Sequence, residues 1–239
     1  MIYEIAGLRI DIQNRCKYTE NFCRAYESAD QVTPADLTVA VTNEEFFEEK
    51  SHSAGFSDGY IENICLYRSI CQKLPTLRRM LLHAAVLQYD NNAYAFLGRS
   101  GTGKSTHTGL WLKHIDGVKI VNGDKPILEC TENGFIAYGT PWMGKEGLGE
   151  NTSAPLKGLC FLEQAKENSI VRLTSGETAA RLFSQILFPQ DRENAEMALE
   201  LADRLVCGVP AYLLKCTISE ESVEKSFEAL TGKPYADRN

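Results

Sequence analysis

Apolar positions along this chain recur with two periods, and the switches between them mark out the elements. Residues 2–12 read as one or two short strands around Gly7, and Leu37, Val39 and Val41 alternate with smaller or polar residues over a strand at 36–42. Asn43 is placed to cap a short helix whose first turn holds Glu44 and Glu45. Ile61, Ile64, Cys65 and Ile70 give residues 57–73 a helical stripe that Pro75 ends. Two strands follow, over 81–89 and 93–97, joined by the hairpin residues Asp90-Asn91-Asn92. A helix is expected from Lys104 to His114, then strands over 118–121, 127–130 and 135–138, with a turn at 131–134. Residues 139–155 hold four glycines and two prolines and read as a long irregular loop. Strands over 156–162, 170–173 and 209–216, helices over 176–187 and 191–206, and a last helix capped by Ser219 complete the chain.

Strands mixed with helices and several hairpins predict an α/β protein with a mixed sheet rather than a purely doubly wound one. At 239 residues the chain is one substantial domain. Residues 1–75 are expected to form a small N-terminal α/β segment packed on a core domain of residues 76–239.

Composition narrows the function classes. Against 25 Lys and Arg stand 32 Asp and Glu, a formal charge of −7, and the basic residues are scattered, so no nucleic-acid partner is expected. The apolar runs are far shorter than the roughly 18 residues of a membrane span, and the N-terminus lacks the pattern of a signal peptide. Eight cysteines form no C-x-x-C pair and no zinc spacing, and most have apolar neighbours. Reduced, mostly buried thiols in a cytoplasm are the expectation.

One segment carries chemistry. Gly98-Arg99-Ser100-Gly101-Thr102-Gly103-Lys104-Ser105 fits the phosphate-loop (Walker A) pattern G-x-x-x-x-G-K-[ST] at every fixed position. Its glycines permit backbone angles that turn successive N–H groups inward, and the following helix adds the positive end of its dipole. Residues 98–106, Thr106 included, are the expected nucleotide-binding stretch. Lys104 would reach the β- and γ-phosphates, and the Ser105 hydroxyl would ligate Mg²⁺, or Mn²⁺ in its place. An apolar strand leads in and a helix leads out, which is the context the motif requires. Asp124, after the apolar run Val118–Val121, is the expected second metal ligand. Arg99 either touches phosphate or faces solvent, His107 either faces the site or packs, and Arg172 reads as a surface residue.

Over residues 81–128 these features resemble the kinase domain of HPr kinase/phosphorylase and, more distantly, ATP-dependent phosphoenolpyruvate carboxykinase. Leu82-His83-Ala84 lies 15 residues before Gly98, as a histidine does in that family, and Ser100-Gly101-Thr102-Gly103-Lys104-Ser105 matches its loop. Residues 103–111 and 139–146 extend the likeness to a group of small bacterial HPr-kinase-like proteins. The resemblance implies the mixed-sheet P-loop fold of that family, a homo-oligomer, and a catalytic role for His83 beside Lys104 and Asp124. Gly123-Asp124 departs from the family's paired aspartates, so one carboxylate is missing. The loop beginning at Gly139 is the expected acceptor side. There Thr140 and Trp142 would contact substrate, with Trp142 stacking on a ring; Lys145 would neutralise an anion, and Glu146 or Glu150 would stand in as base. The reading is an ATP-dependent kinase acting on a hydroxyl of a peptide or small metabolite. The alternative is a module that binds ATP to sense or regulate without phosphotransfer.

Overall fold

In a computed structural model describing residues 1–53 and 55–238, the protein is mixed α/β, with a curled mixed sheet and seven α-helices among the described residues. The chain opens with strands β1 (Ile2–Ile5) and β2 (Leu8–Gln13), a short helix α1 (Lys17–Phe22) and strand β3 (Leu37–Ala40). These strands form a three-stranded sheet in the order β1-β2-β3. Helices α2 (Asn43–His52) and α3 (Asp58–Lys73) follow. Thr42, rather than Asn43, caps α2: its hydroxyl accepts from Glu45 N while the Glu45 carboxylate accepts from Thr42 N, a reciprocal capping box. Tyr3, Ile5, Ile10, Val39, Leu66 and Ile70 share one core with Leu81, Ile127 and Trp142, so the N-terminal layer is packed directly on the rest.

The larger sheet has nine strands. They are β4 (Arg79–Leu81), β5 (Ala84–Tyr89), β6 (Asn92–Leu97), β7 (Lys119–Asn122), β8 (Ile127–Thr131), β9 (Gly134–Tyr138), β10 (Ser153–Gln164), β11 (Ser169–Arg172) and β12 (Ala211–Cys216). The order β4-β8-β9-β10-β6-β5-β7 is continued by β12 on β10 and β11 on β12. Strand β10 causes the curl. Its start, Ser153–Pro155, is antiparallel to β9, and its later part runs parallel to both β6 and β12. The expected loop 139–155 is therefore shorter, because its end pairs as strand.

The strand expected over 81–89 is two strands. β4 pairs with β8, whereas β5 pairs with β6 and β7. In the break, Leu82 N donates to Pro126 O and His83 N to Gln185 O, so the backbone is satisfied from loops and His83 is turned out of the ladder.

Helices α5 (Ser175–Leu182) and α6 (Arg192–Gly208) cover one face of the sheet through Leu182, Leu201 and Leu205. Helices α4 (Lys104–His114) and α7 (Glu220–Thr231) cover the other through Trp111, Val223 and Phe227. Gly158 lets α7 pack closely, since a Cβ there would lie 2.6 Å from Leu230 Cδ2 and would force that side chain to shift. Ser219 precedes α7 but does not cap it; its hydroxyl instead accepts from Asn168 Nδ2 and Thr217 Oγ1. All eight cysteines are free thiols, five of them buried. Among the described residues no helix is long and apolar enough to cross a membrane.

Candidate functional site

Topology gathers the site at one edge of the sheet. Strand β5 is antiparallel to both β6 and β7, so the start of β5 and the ends of β6 and β7 fall together. The register sets Ala84 opposite Leu97 and Val86 opposite Asn122. His83 and Gly98 are the next residues outward and Asp124 lies two beyond Asn122, so the three meet there although 40 residues of chain lie between His83 and Asp124.

The turn from Gly98 to Gly103 leaves β6 and enters α4. Gly101 and Gly103 have φ of +83° and +103°, which a side chain would strain. Gly98 is crowded as well, since a Cβ there would lie 2.5 Å from Thr102 Oγ1. Thr102 closes the turn by donating from N and Oγ1 to Arg99 O. Gly103 stands at the N-cap of α4 without a capping side chain, so the N–H groups of the first turn have no side-chain acceptor. Arg99, Ser100, Gly101, Ser105 and Thr106 are exposed around this turn.

Lys104 is buried. Its Nζ donates to Gly98 O at 2.8 Å and lies 3.3 Å from His83 Nε2. His83 Nε2 is also 3.2 Å from Asp124 Oδ1, and Asp124 Oδ2 is 3.1 Å from Lys125 Nζ. One imidazole nitrogen thus faces an ammonium and a carboxylate. Protonated, it donates to Asp124; unprotonated, it accepts from Lys104. Gln185 closes the far side: its amide is assigned with the nitrogen toward Gly98 O and His83 O, each at 3.2 Å, because both are acceptors, and with the oxygen toward Ser184 Oγ. Burial alone would raise the Asp124 carboxyl, but the hydrogen bond to His83 and the Lys125 charge outweigh it and hold the group at about 2. Burial pulls the Lys104 ammonium below the ordinary lysine value; Asp124 opposes this shift and Lys125 adds to it.

Asp124 and Lys125 are held by a buried network. Asn122 Oδ1 accepts from both their backbone nitrogens, at 2.9 and 2.7 Å. Asn122 Nδ2 donates to Thr140 O and Oγ1, and Thr140 Oγ1 donates to Lys125 O at 2.7 Å. Thr140 is thus fully enclosed and braces the turn that carries Asp124; it has no surface to offer a substrate.

The loop that begins at Gly139 folds over Asp124. Gly123 N donates to Leu148 O, and Glu150 N to Val121 O. A Cβ on Gly144 would lie 2.9 Å from Asp124 Cβ, and one on Gly123 would meet Met143 O and Leu148 O at 3.0 and 3.1 Å. The loop backbone therefore crowds position 123, and a side chain there would require Met143 and Leu148 to give by a few tenths of an ångström. Lys145 and Glu146 are exposed on this loop, as is Glu150. Trp142 is only 7% exposed and packs on Tyr67, ring centroids 5.1 Å apart. Where an open stacking ring was expected there is a core side chain, because the loop turns back onto α3.

His107 points away from this cluster. It is buried against Phe96, with Nε2 3.0 Å from Ser226 Oγ, and burial lowers its pKa to about 4. Arg172 is exposed on β11. Sequence reasoning missed Lys125 and Gln185. Lys125 directly follows Asp124, and that adjacency was the one available signal; Gln185 carried none, since its role depends on α5 docking beside the glycine-rich turn.

Chemically, the cluster offers two ammonium groups and an imidazole around one carboxylate, beside an uncapped helix start. That surplus of positive charge, on a chain of net charge −7, suits a multiply charged anion. No family model matches the chain, and no curated protein matches it either.

Proposed function

We propose that the protein is an ATP-dependent kinase of the HPr kinase/phosphoenolpyruvate carboxykinase-like P-loop type, transferring the γ-phosphoryl group to a hydroxyl acceptor. The observation that carries this reading is the convergence of His83, Lys104 and Asp124, from three separate segments, at the mouth of a glycine-rich turn that opens a helix. The amides of residues 98–106 would hold the phosphate chain and Lys104 would bridge its β- and γ-phosphates. Ser105 and Asp124 are hard oxygen donors that fit Mg²⁺, an ion that typically takes one or two protein oxygens and completes its shell with phosphate and water. When bound, Mg²⁺ would neutralise charge on the phosphate oxygens. A carboxyl held at about 2 is a poor proton acceptor and a good fixed charge, so Asp124 is assigned to charge neutralisation. The acceptor hydroxyl would enter beneath the loop carrying Lys145 and Glu146.

The second reading, an ATP-binding sensor without transfer, is favoured by one feature: position 123 holds glycine under a close loop backbone, so the site has one aspartate and not two. Incubation with γ-labelled ATP and panels of seryl peptides and small hydroxylated metabolites separates the two. Label on an acceptor supports the kinase; tight binding with neither transfer nor hydrolysis supports the sensor.

A further inference from the structure

We infer that Lys125 is a second phosphate-binding side chain, which reads the terminal phosphoryl group and so lets the site tell a nucleoside triphosphate from a diphosphate. The inference rests on the nucleotide-binding reading above and extends it to a residue outside the glycine-rich motif.

Three observations support it. First, Lys125 is positioned at both ends. Asn122 Oδ1 and Thr140 Oγ1 pin its backbone, and its ammonium is held between Asp124 Oδ2, at 3.1 Å, and the ring of Tyr67, whose centroid is 5.7 Å away. Tyr67 in turn is backed by Trp142. A lysine that served only to solvate a surface turn would need none of this bracing. Second, charge is unbalanced. Asp124 is the single carboxylate within contact distance of Lys125 Nζ among the described residues, and it is shared with His83. The two ammonium groups flank the same His83–Asp124 pair, Lys104 Nζ 3.3 Å from His83 Nε2 and Lys125 Nζ 3.1 Å from Asp124 Oδ2, and their like charges repel. An anion entering between them relieves that repulsion and competes with Asp124 for the Lys125 ammonium. Third, the space is reachable. The side chains of His83, Asp124 and Lys125 keep 32%, 25% and 31% of their exposure, whereas the ammonium of Lys104 lies deeper.

The order along a bound nucleotide follows from the sheet. The glycine-rich turn leaves β6, and Lys125 lies beyond β5 at the end of β7, so it is on the His83 and Asp124 side of the turn. Any phosphate chain running from the turn toward Asp124 presents its terminal group there. Lys104 then serves the β- and γ-phosphates and Lys125 only the terminal one.

The test is calorimetric binding of Mg·ADP and of a non-hydrolysable Mg·ATP analogue to wild type, Lys125→Met, Lys125→Arg and Lys104→Ala, with thermal unfolding of each variant as a folding control. Wild type is expected to bind the triphosphate more tightly than the diphosphate. Lys125→Met should lose that preference, weakening the triphosphate at least about tenfold while diphosphate affinity stays as in wild type. Lys125→Arg should retain the preference, and Lys104→Ala should weaken both ligands. Equal weakening of both ligands by Lys125→Met would mean a structural role and overturn the inference, as would an unchanged preference or a wild type without any preference. A wild type that binds neither nucleotide would overturn the nucleotide reading itself, and the inference with it.

Discussion

Replacing His107 with Phe should flatten the acid side of the stability profile. His107 is buried on α4, tilted against Phe96 with ring centroids 5.0 Å apart, and burial holds its folded-state pKa at about 4, against an ordinary 6.5. The unfolded chain therefore binds a proton at this site more readily than the folded one. Stability from the neutral imidazole is fully present above about pH 6.5 and is lost as pH falls toward 4. The full shift corresponds to about 3 kcal/mol at 1.36 kcal/mol per unit, and about 2 kcal/mol of it disappears between about pH 7.5 and pH 5. Phe is close in shape, and Ser226 Oγ keeps its bonds to Trp111 Nε1 and Val223 O in the variant. Urea unfolding of wild type and His107→Phe at several pH values measures the difference. The variant should lose about 2 kcal/mol less than wild type across this range. Parallel profiles would refute the claim that the neutral imidazole is a structural element of this core.

Three further outcomes follow from the loop and its turn. Gly139→Ala places a Cβ 1.8 Å from Glu150 O, a backbone atom, so the loop must move; thermal melting should show a loss of about 3 kcal/mol. Thr140→Val leaves Asn122 Nδ2 only its bond to Thr140 O and removes the hydroxyl that donates to Lys125 O, and should cost about 1–3 kcal/mol in denaturant unfolding. Lys104→Ala should reduce phosphoryl transfer at least about 100-fold, roughly 3 kcal/mol of transition-state stabilisation, with the fold intact by circular dichroism.

What the sequence revealed, and what it concealed, divides along local and non-local lines. The glycine-rich turn was legible because each position has its own backbone or side-chain requirement, independent of partners. Asp124 was legible as a candidate by residue type and its place after an apolar strand, and His83 only through the resemblance; their meeting depends on β5 standing between β6 and β7, a pairing no local pattern encodes. The break between β4 and β5 was hidden because Leu81 to Tyr89 is a single apolar run, and it appears only when His83 N finds Gln185 O. The start of β10 was hidden by Pro155, which reads as a loop residue yet lies opposite Ile136 of β9 near the beginning of the strand. Trp142 reads as an exposed loop aromatic because its neighbours are loop residues, and its burial against Tyr67 depends on the loop folding back onto α3. Helix α1 has six residues and too little periodicity to announce itself.

The account depends on the turn from Gly98 to Lys104 taking up a chain of phosphates, and titration of inorganic tripolyphosphate with Mg²⁺ into wild type and Lys104→Ala tests that directly by calorimetry. Saturable heat from wild type, weakened about 100-fold or more in Lys104→Ala, is the predicted result. No heat from wild type with either tripolyphosphate or Mg·ATP would contradict it.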